Sequence, residues 1–384
     1  MTSKERVKRL IERKDIDKIP LGFYVVDYDI IERVIGRPTY VRNKVKSQIA
    51  LWEGKRNEVC ESYKKDTVEF FKKIDCVDIL TFKEAGILPT ENYNPPKIEK
   101  IDENTLKDEN GRIYRISEST NEISCIYNPD KNKIDIDTYT PDMFKFSESD
   151  LKEPDQSIFQ APDYLIENFR DEKFIAGTSG GITAFTLIGG METGLMLYAL
   201  KPEVIKAVNE RNVKIQNFLD KFYIRKGQDG VLLEQDMAGT KGPFISPDIF
   251  SKVCFPFLKK RVENIKKYVP YVFLHNCGNN IPLMEMFIEA GIDVYQSLQT
   301  NAGMDIEYLT KRFGDRIIFW GGISTEILIS GTMEDVRKNI RDLIEKFKKK
   351  NLRFIIGPSH SIAYGVKYDN FMTLIEEYEK NAYL

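Results

Sequence analysis

Histidine is nearly missing from this chain: two residues, His275 and His360, in 384. Cysteine is sparse too, with five residues at positions 60, 76, 125, 254 and 277 and no close Cys-x-x-Cys pair. An odd number without pairing excludes a disulfide framework and points to a reducing cytoplasm. No apolar run approaches the ~20 residues a membrane-spanning helix needs. The N-terminal stretch is polar and lacks a signal-peptide core, so a cytoplasmic chain is expected. Charge is balanced at a formal net of −2. No basic stripe interleaved with aromatics appears, which excludes a nucleic-acid partner, and the lysine run at residues 346–350 reads as a solvated helix face. No Gly-x-Gly-x-x-Gly follows the first apolar run. The Gly-rich stretch at residues 177–181 fits neither the dinucleotide fingerprint nor the phosphate loop.

What is present is regular. Apolar runs expected to be strands fall at residues 19–26, 75–81, 174–177, 230–234, 271–274, 293–296, 317–320 and 353–356. Helical periodicity separates them, for instance at 202–225, 247–267 and 334–349, and residues 3–13 read as a helix capped by Ser3. Strands that are apolar throughout belong in a parallel sheet covered on both faces. Eight of them alternating with helices give an α/β fold, a (β/α)8 TIM-type barrel. A doubly wound open sheet is the alternative. Residues 95–140 differ, being rich in Ile, Thr, Tyr, Asn and Asp around a turn at 108–111. They read as an inserted β-meander within a single domain spanning 1–384, placed either over one mouth of the barrel or as decoration.

In such a barrel the chemistry gathers at the C-terminal ends of the strands. The exits carry Asp27 and Tyr28, Lys83 and Glu84, Glu234 and Asp236, His275 and Cys277, Gln296, and Ser359 with His360. His275 and Cys277 are two apart, on one side of an extended backbone. Imidazole and thiolate suit Zn2+ better than Mg2+ or Ca2+. The competing reading makes the histidine a hydrogen-bonded structural residue and the cysteine a small buried hydrophobe. Asp236 and Glu234 are candidate catalytic acids, open between fourth metal ligand, acceptor behind a histidine, and plain rim carboxylate. Tyr28, Phe82, Met191, Gln296 and Trp320 are expected near the mouth as substrate-binding residues, with core packing the alternative for Trp320.

Several stretches resemble the uroporphyrinogen-decarboxylase-like proteins. They are Lys4-Glu5-Arg6-Val7 and Asp17-Lys18-Ile19-Pro20-Leu21; Glu234-Gln235-Asp236-Met237-Ala238-Gly239-Thr240; His275-Asn276-Cys277-Gly278; Trp320-Gly321-Gly322-Ile323; and Pro358-Ser359-His360. The resemblance implies a TIM-type barrel. True uroporphyrinogen decarboxylases are metal-free and hold propionates with an Arg-rich N-terminal segment, whereas residues 21–29 contain no Arg. The zinc-dependent branch, which includes methylcobamide:coenzyme M methyltransferases, binds zinc through His-x-Cys and a later Cys. That likeness implies His275, Cys277 and, in place of the later Cys, His360 as metal ligands. It also implies a corrinoid (cobalamin) supplied by a partner corrinoid protein, and a small-molecule methyl donor or acceptor. A metal-free decarboxylase or lyase acting on a smaller substrate, and a non-catalytic corrinoid-binding barrel, are the competing functions.

Overall fold

A computed structural model describes residues 1–129, 136–182 and 185–384. Its centre is a curled, all-parallel, seven-stranded sheet. In order, the strands are Ile79–Thr81, Phe174–Gly177, Gly230–Glu234, Tyr271–His275, Val294–Gln296, Ile318–Ile323 and Phe354–Pro358. Helices such as Pro202–Tyr223, Ile306–Phe313 and Met333–Lys350 lie between them in sequence. The arrangement is α/β and consistent with a TIM-type barrel.

The expected first strand at residues 19–26 is not a strand. Leu21 makes a single parallel bridge to Ile356, and Gly22 one to Ile79. Residues 21–22 therefore bond to both edge strands of the sheet without a continuous ladder. Pro20 explains part of this, because it has no N–H to donate. Scattered backbone bonds remain, the Ile356 amide to the Pro20 carbonyl and the Gly22 amide to the Ile356 carbonyl, both at 2.9 Å, and side chains add to them. Asp78 accepts the Leu21 amide at 2.8 Å and an Arg6 N–H at 2.5 Å, while the Tyr378 hydroxyl donates to the Ile19 carbonyl at 2.6 Å. The N-cap of helix Ser3–Ile11 is Thr2 rather than Ser3, its hydroxyl accepting from the Glu5 amide at 3.1 Å.

The helical stretch expected at 247–267 divides at Cys254 into Pro247–Val253 and Phe255–Ile265, because Pro256 cannot continue the ladder. Residues 98–127 hold a separate four-stranded antiparallel sheet with neighbours in sequence order. The C-terminal part of the expected insertion, 130–135, lies outside the described residues. Among the described residues no helix is long and apolar enough to cross a membrane.

Two features shape the mouth of the sheet. Register sets Glu234 level with His275, His275 level with Gln296, and Gln296 level with Trp320. Paired residues of parallel strands point to one face, so these four side chains form a layer. The other feature is a fully buried ion pair, Arg261 with Asp220, at 2.7 Å. Asp220 accepts the Gly180 amide and Arg261 donates twice to the Gly181 carbonyl, at 3.1 and 2.8 Å. The loop after strand Phe174–Gly177 is thereby tied to the helices beneath it.

Candidate metal centre

The strand Tyr271–His275 ends where Asn276, buried, accepts the Met237 amide at 2.9 Å. Gly278 then turns with φ +80°, and a Cβ there would lie 2.4 Å from the Ala238 carbonyl oxygen. Only glycine permits this approach. The close crossing lets the Asn279 amide reach the Gly239 carbonyl at 2.9 Å. Cys277 is thus pinned between two loops, its amide donating to Asp236 Oδ1 at 2.7 Å.

The geometry brings the two histidines and this cysteine together. One ligand atom each from His275, Cys277 and His360 lies within 4.8 Å of the others. Cys277 Sγ stands 3.5 Å from His275 Nε2. The two imidazole rings are edge-on, with centroids 5.5 Å apart. His275 is buried and His360 exposed. Tyr24 stacks flat on His275 at 3.9 Å and 5°, fixing the ring plane.

The proton on His275 follows from its neighbour. The Gln296 amide nitrogen donates to the Pro358 carbonyl at 3.5 Å, so its oxygen faces His275 Nδ1. Nδ1 must then carry the hydrogen, leaving the Nε2 lone pair aimed at the cluster. Burial pulls the His275 pKa down to about 4, which keeps the ring neutral, the form that binds metal. Burial pushes the Cys277 thiol up to about 12, and the Ser297 hydroxyl oxygen lies 3.4 Å from Sγ. Ser297 is non-glycine at φ +87°, a strained backbone held by its hydroxyl, which donates its one hydrogen to the Ser359 carbonyl at 3.0 Å. His360 Nδ1 accepts the Ser361 amide at 2.7 Å. Coordination through its Nε2 therefore requires the ring to turn and donate Nδ1–H to the Ser361 hydroxyl, 2.9 Å away.

A cavity of about 400 Å3 adjoins His360. Its wall includes Tyr24, Arg42, Lys44, Thr120 and Glu122, together with Lys83 and Glu234. Each cation there has a carboxylate partner: Arg42 with Asp27 at 3.0 Å, Lys44 with Glu122 at 2.5 Å, and Lys83 with Glu234. Sequence reasoning missed Arg42, Lys44 and Tyr24. Arg42 and Lys44 carry no local signature, and their approach depends on tertiary packing.

The expected site residues divide. Phe82 lines a second cavity, of about 260 Å3, that shares Lys83 and Glu234. Tyr28 opens helix Tyr28–Ile35 and stacks on Tyr364, itself in the wall beside His360. Gln296 is buried against His275 and lines neither cavity. Trp320 is a core residue, fully buried, its indole N–H donating to the Gly22 carbonyl at 3.0 Å. Met191 is exposed and lines neither cavity. Its helix starts after Gly189 and Gly190, both at positive φ, which turn the chain outward. Asp236 holds the Cys277 backbone, and Glu234 pairs with Lys83.

The family described as uroporphyrinogen decarboxylase (URO-D) matches residues 140–380. The chain belongs to the uroporphyrinogen decarboxylase family. Among solved structures, this family member is similar to a methyltransferase from Methanosarcina mazei, with a TM-score of 0.60 and 13% identity over 99% of both chains. That likeness is one of fold. A looser similarity, TM-score 0.33 and 12% identity over 60% of this chain and 88% of the other, is to the 3-keto-D-glucoside 4-epimerase YcjR from E. coli. None of the curated proteins matches this uroporphyrinogen decarboxylase family chain in sequence.

Proposed function

We propose that this protein is a zinc-dependent methyltransferase moving a methyl group between a corrinoid, carried by a partner protein, and a small thiol or methoxylated substrate. The observation that carries the reading is the meeting of His275, Cys277 and His360 within 4.8 Å at the strand exits. Two nitrogens and one sulfur are a catalytic zinc donor set that leaves a position open for substrate. His275 Nε2 is already presented with its proton on the far nitrogen. When bound, zinc supplies Lewis acidity and holds a substrate thiol as thiolate.

The chain's own residues do the rest. Gln296 and Tyr24 fix the His275 ring, Asp236 fixes the Cys277 backbone, and the Ser297 hydroxyl stands beside its sulfur. The paired cations around His360 leave no lining charge in that cavity to hold a polyanion, which argues against a tetrapyrrole carrying many carboxylates. The same observation supports a small substrate. We read residues 1–384 as one working unit, with the antiparallel sheet as an insertion over the mouth: Thr120 and Glu122 reach the cavity beside His360. All five cysteines are free, which fits a reducing compartment such as the cytoplasm.

The test is methyl exchange. Zinc-loaded protein is incubated with methylcobalamin and a panel of thiols, and in reverse with cob(I)alamin and methoxylated compounds, while the corrinoid's visible spectrum is followed. Methyl transfer is expected in one direction at least, and His275→Ala abolishes it. Full activity in that variant, or activity indifferent to chelation, refutes the assignment.

A further inference from the structure

The second cavity lies outside the metal cluster. Its wall comes from the C-terminal ends of strands Ile79–Thr81, Phe174–Gly177 and Gly230–Glu234 and the loops beyond. This is the face on which barrels of this kind bind their ligands. It encloses about 260 Å3, and Phe82, Ile87, Ile182, Leu232 and Leu233 supply its apolar surface.

The polar atoms of the wall are mostly spent. The Thr81 hydroxyl donates to the Tyr24 carbonyl at 3.1 Å and accepts the Lys83 amide at 3.2 Å. The Ser179 hydroxyl donates to the Gly181 carbonyl and accepts the Gly181 amide, both at 3.3 Å. The Thr178 hydroxyl donates to the Ser179 carbonyl at 3.4 Å and keeps its acceptor side. The two charges, Lys83 and Glu234, neutralise each other. A charged ligand could gain a partner only by taking one from that pair, which strands the other charge and leaves no net ion pair gained. An uncharged apolar body loses little and gains dispersion contacts with apolar wall residues such as Phe82, Ile87 and Leu232.

Lys83 and Glu234 also line the cavity that contains His360. The two spaces thus meet at one ion pair. The Lys83–Glu234 pair is the side of the apolar cavity that borders the space beside His360.

We propose that the cavity walled by Phe82, Ile87 and Leu232 is the seat of an uncharged, apolar substrate body, carrying at most one hydrogen-bond donor for Thr178, whose methoxy or thiol end projects past the Lys83–Glu234 pair. This inference rests on the methyl-transfer reading for the reactive end, while the seat itself is defined by the cavity alone.

Calorimetry on the full chain tests it with methoxybenzene and with its carboxylated analogue, 4-methoxybenzoate. Methoxybenzene is expected to bind, and the carboxylate at least tenfold more weakly. Ile87 is 42% exposed, so Ile87→Trp fills the cavity with little strain on the fold. That variant is expected to weaken methoxybenzene binding at least tenfold with zinc content and melting temperature unchanged. Ile182→Trp is expected to act in the same way. Equal or tighter binding of the carboxylate, no binding of methoxybenzene, or wild-type binding in both variants overturns the assignment. Absence of zinc or of methyl transfer defeats the functional reading while the calorimetry stands. Calorimetric silence with zinc bound and methyl transferred defeats the seat alone.

Discussion

Gln296 presents its amide oxygen to Nδ1 of His275 from the neighbouring strand, at the same level of the sheet. This one contact decides which imidazole nitrogen meets the cluster. Replacing Gln296 by Leu removes the acceptor and frees the tautomer. Loss of such a partner behind a metal-bound histidine lowers affinity about 10–100-fold. Competition of the variant against a chelator of known strength should show that loss with the fold intact. Unchanged zinc affinity would mean that Tyr24 stacking alone sets the ring.

Glu84 gives a pH signature. It is buried, accepts the Val26 amide at 2.7 Å through Oε1, and leaves Oε2 without a hydrogen-bond partner. Burial raises its pKa from the usual 4.5 to about 7. Between those values the unfolded chain has lost this proton and the folded chain keeps it. Stability therefore falls as pH rises from 4.5 to about 7 and levels off above, by on the order of 3 kcal/mol. Glu84→Gln keeps an acceptor for Val26 and removes the titration. Urea unfolding should find the variant more stable than wild type at pH 8, with the difference shrinking toward pH 4.5. A difference independent of pH would show that Glu84 is not held protonated.

The buried Arg261–Asp220 pair anchors the loop at residues 180–181. Breaking such a pair on one side leaves an uncompensated charge and costs about 3–5 kcal/mol. Arg261→Met should lose that much in denaturant unfolding. Arg261→Met with Asp220→Leu should recover part of it, because no charge is stranded. Equal losses in the single and double variants would mean that loop anchoring, not charge burial, dominates.

Local pattern made much of this fold legible. The strands Phe174–Gly177 and Gly230–Glu234 have the residues their apolar runs predict, and His275 and Cys277 leave their strand together. Residues 19–26 keep only isolated backbone bonds to the two edge strands, because Pro20 interrupts the ladder and Asp78, distant in sequence, takes the Leu21 amide with its side chain. Gln296 ends its strand and lines neither cavity, and Trp320 lies inside a strand that runs on to Ile323. Which strand-end side chain turns to a neighbour and which to substrate depends on register between strands, and a single sequence does not encode register locally. The paired state of Arg42, Lys44 and Lys83 was hidden for the same reason: their partners Asp27, Glu122 and Glu234 come from separate parts of the fold.

The central claim is the metal centre, and metal content tests it most directly. Protein purified without chelator should contain one zinc per chain by elemental analysis. Cys277→Ala should lose most of it while its circular dichroism stays that of the wild type. Zinc-free wild-type protein, or stoichiometric zinc retained in Cys277→Ala, would contradict the account.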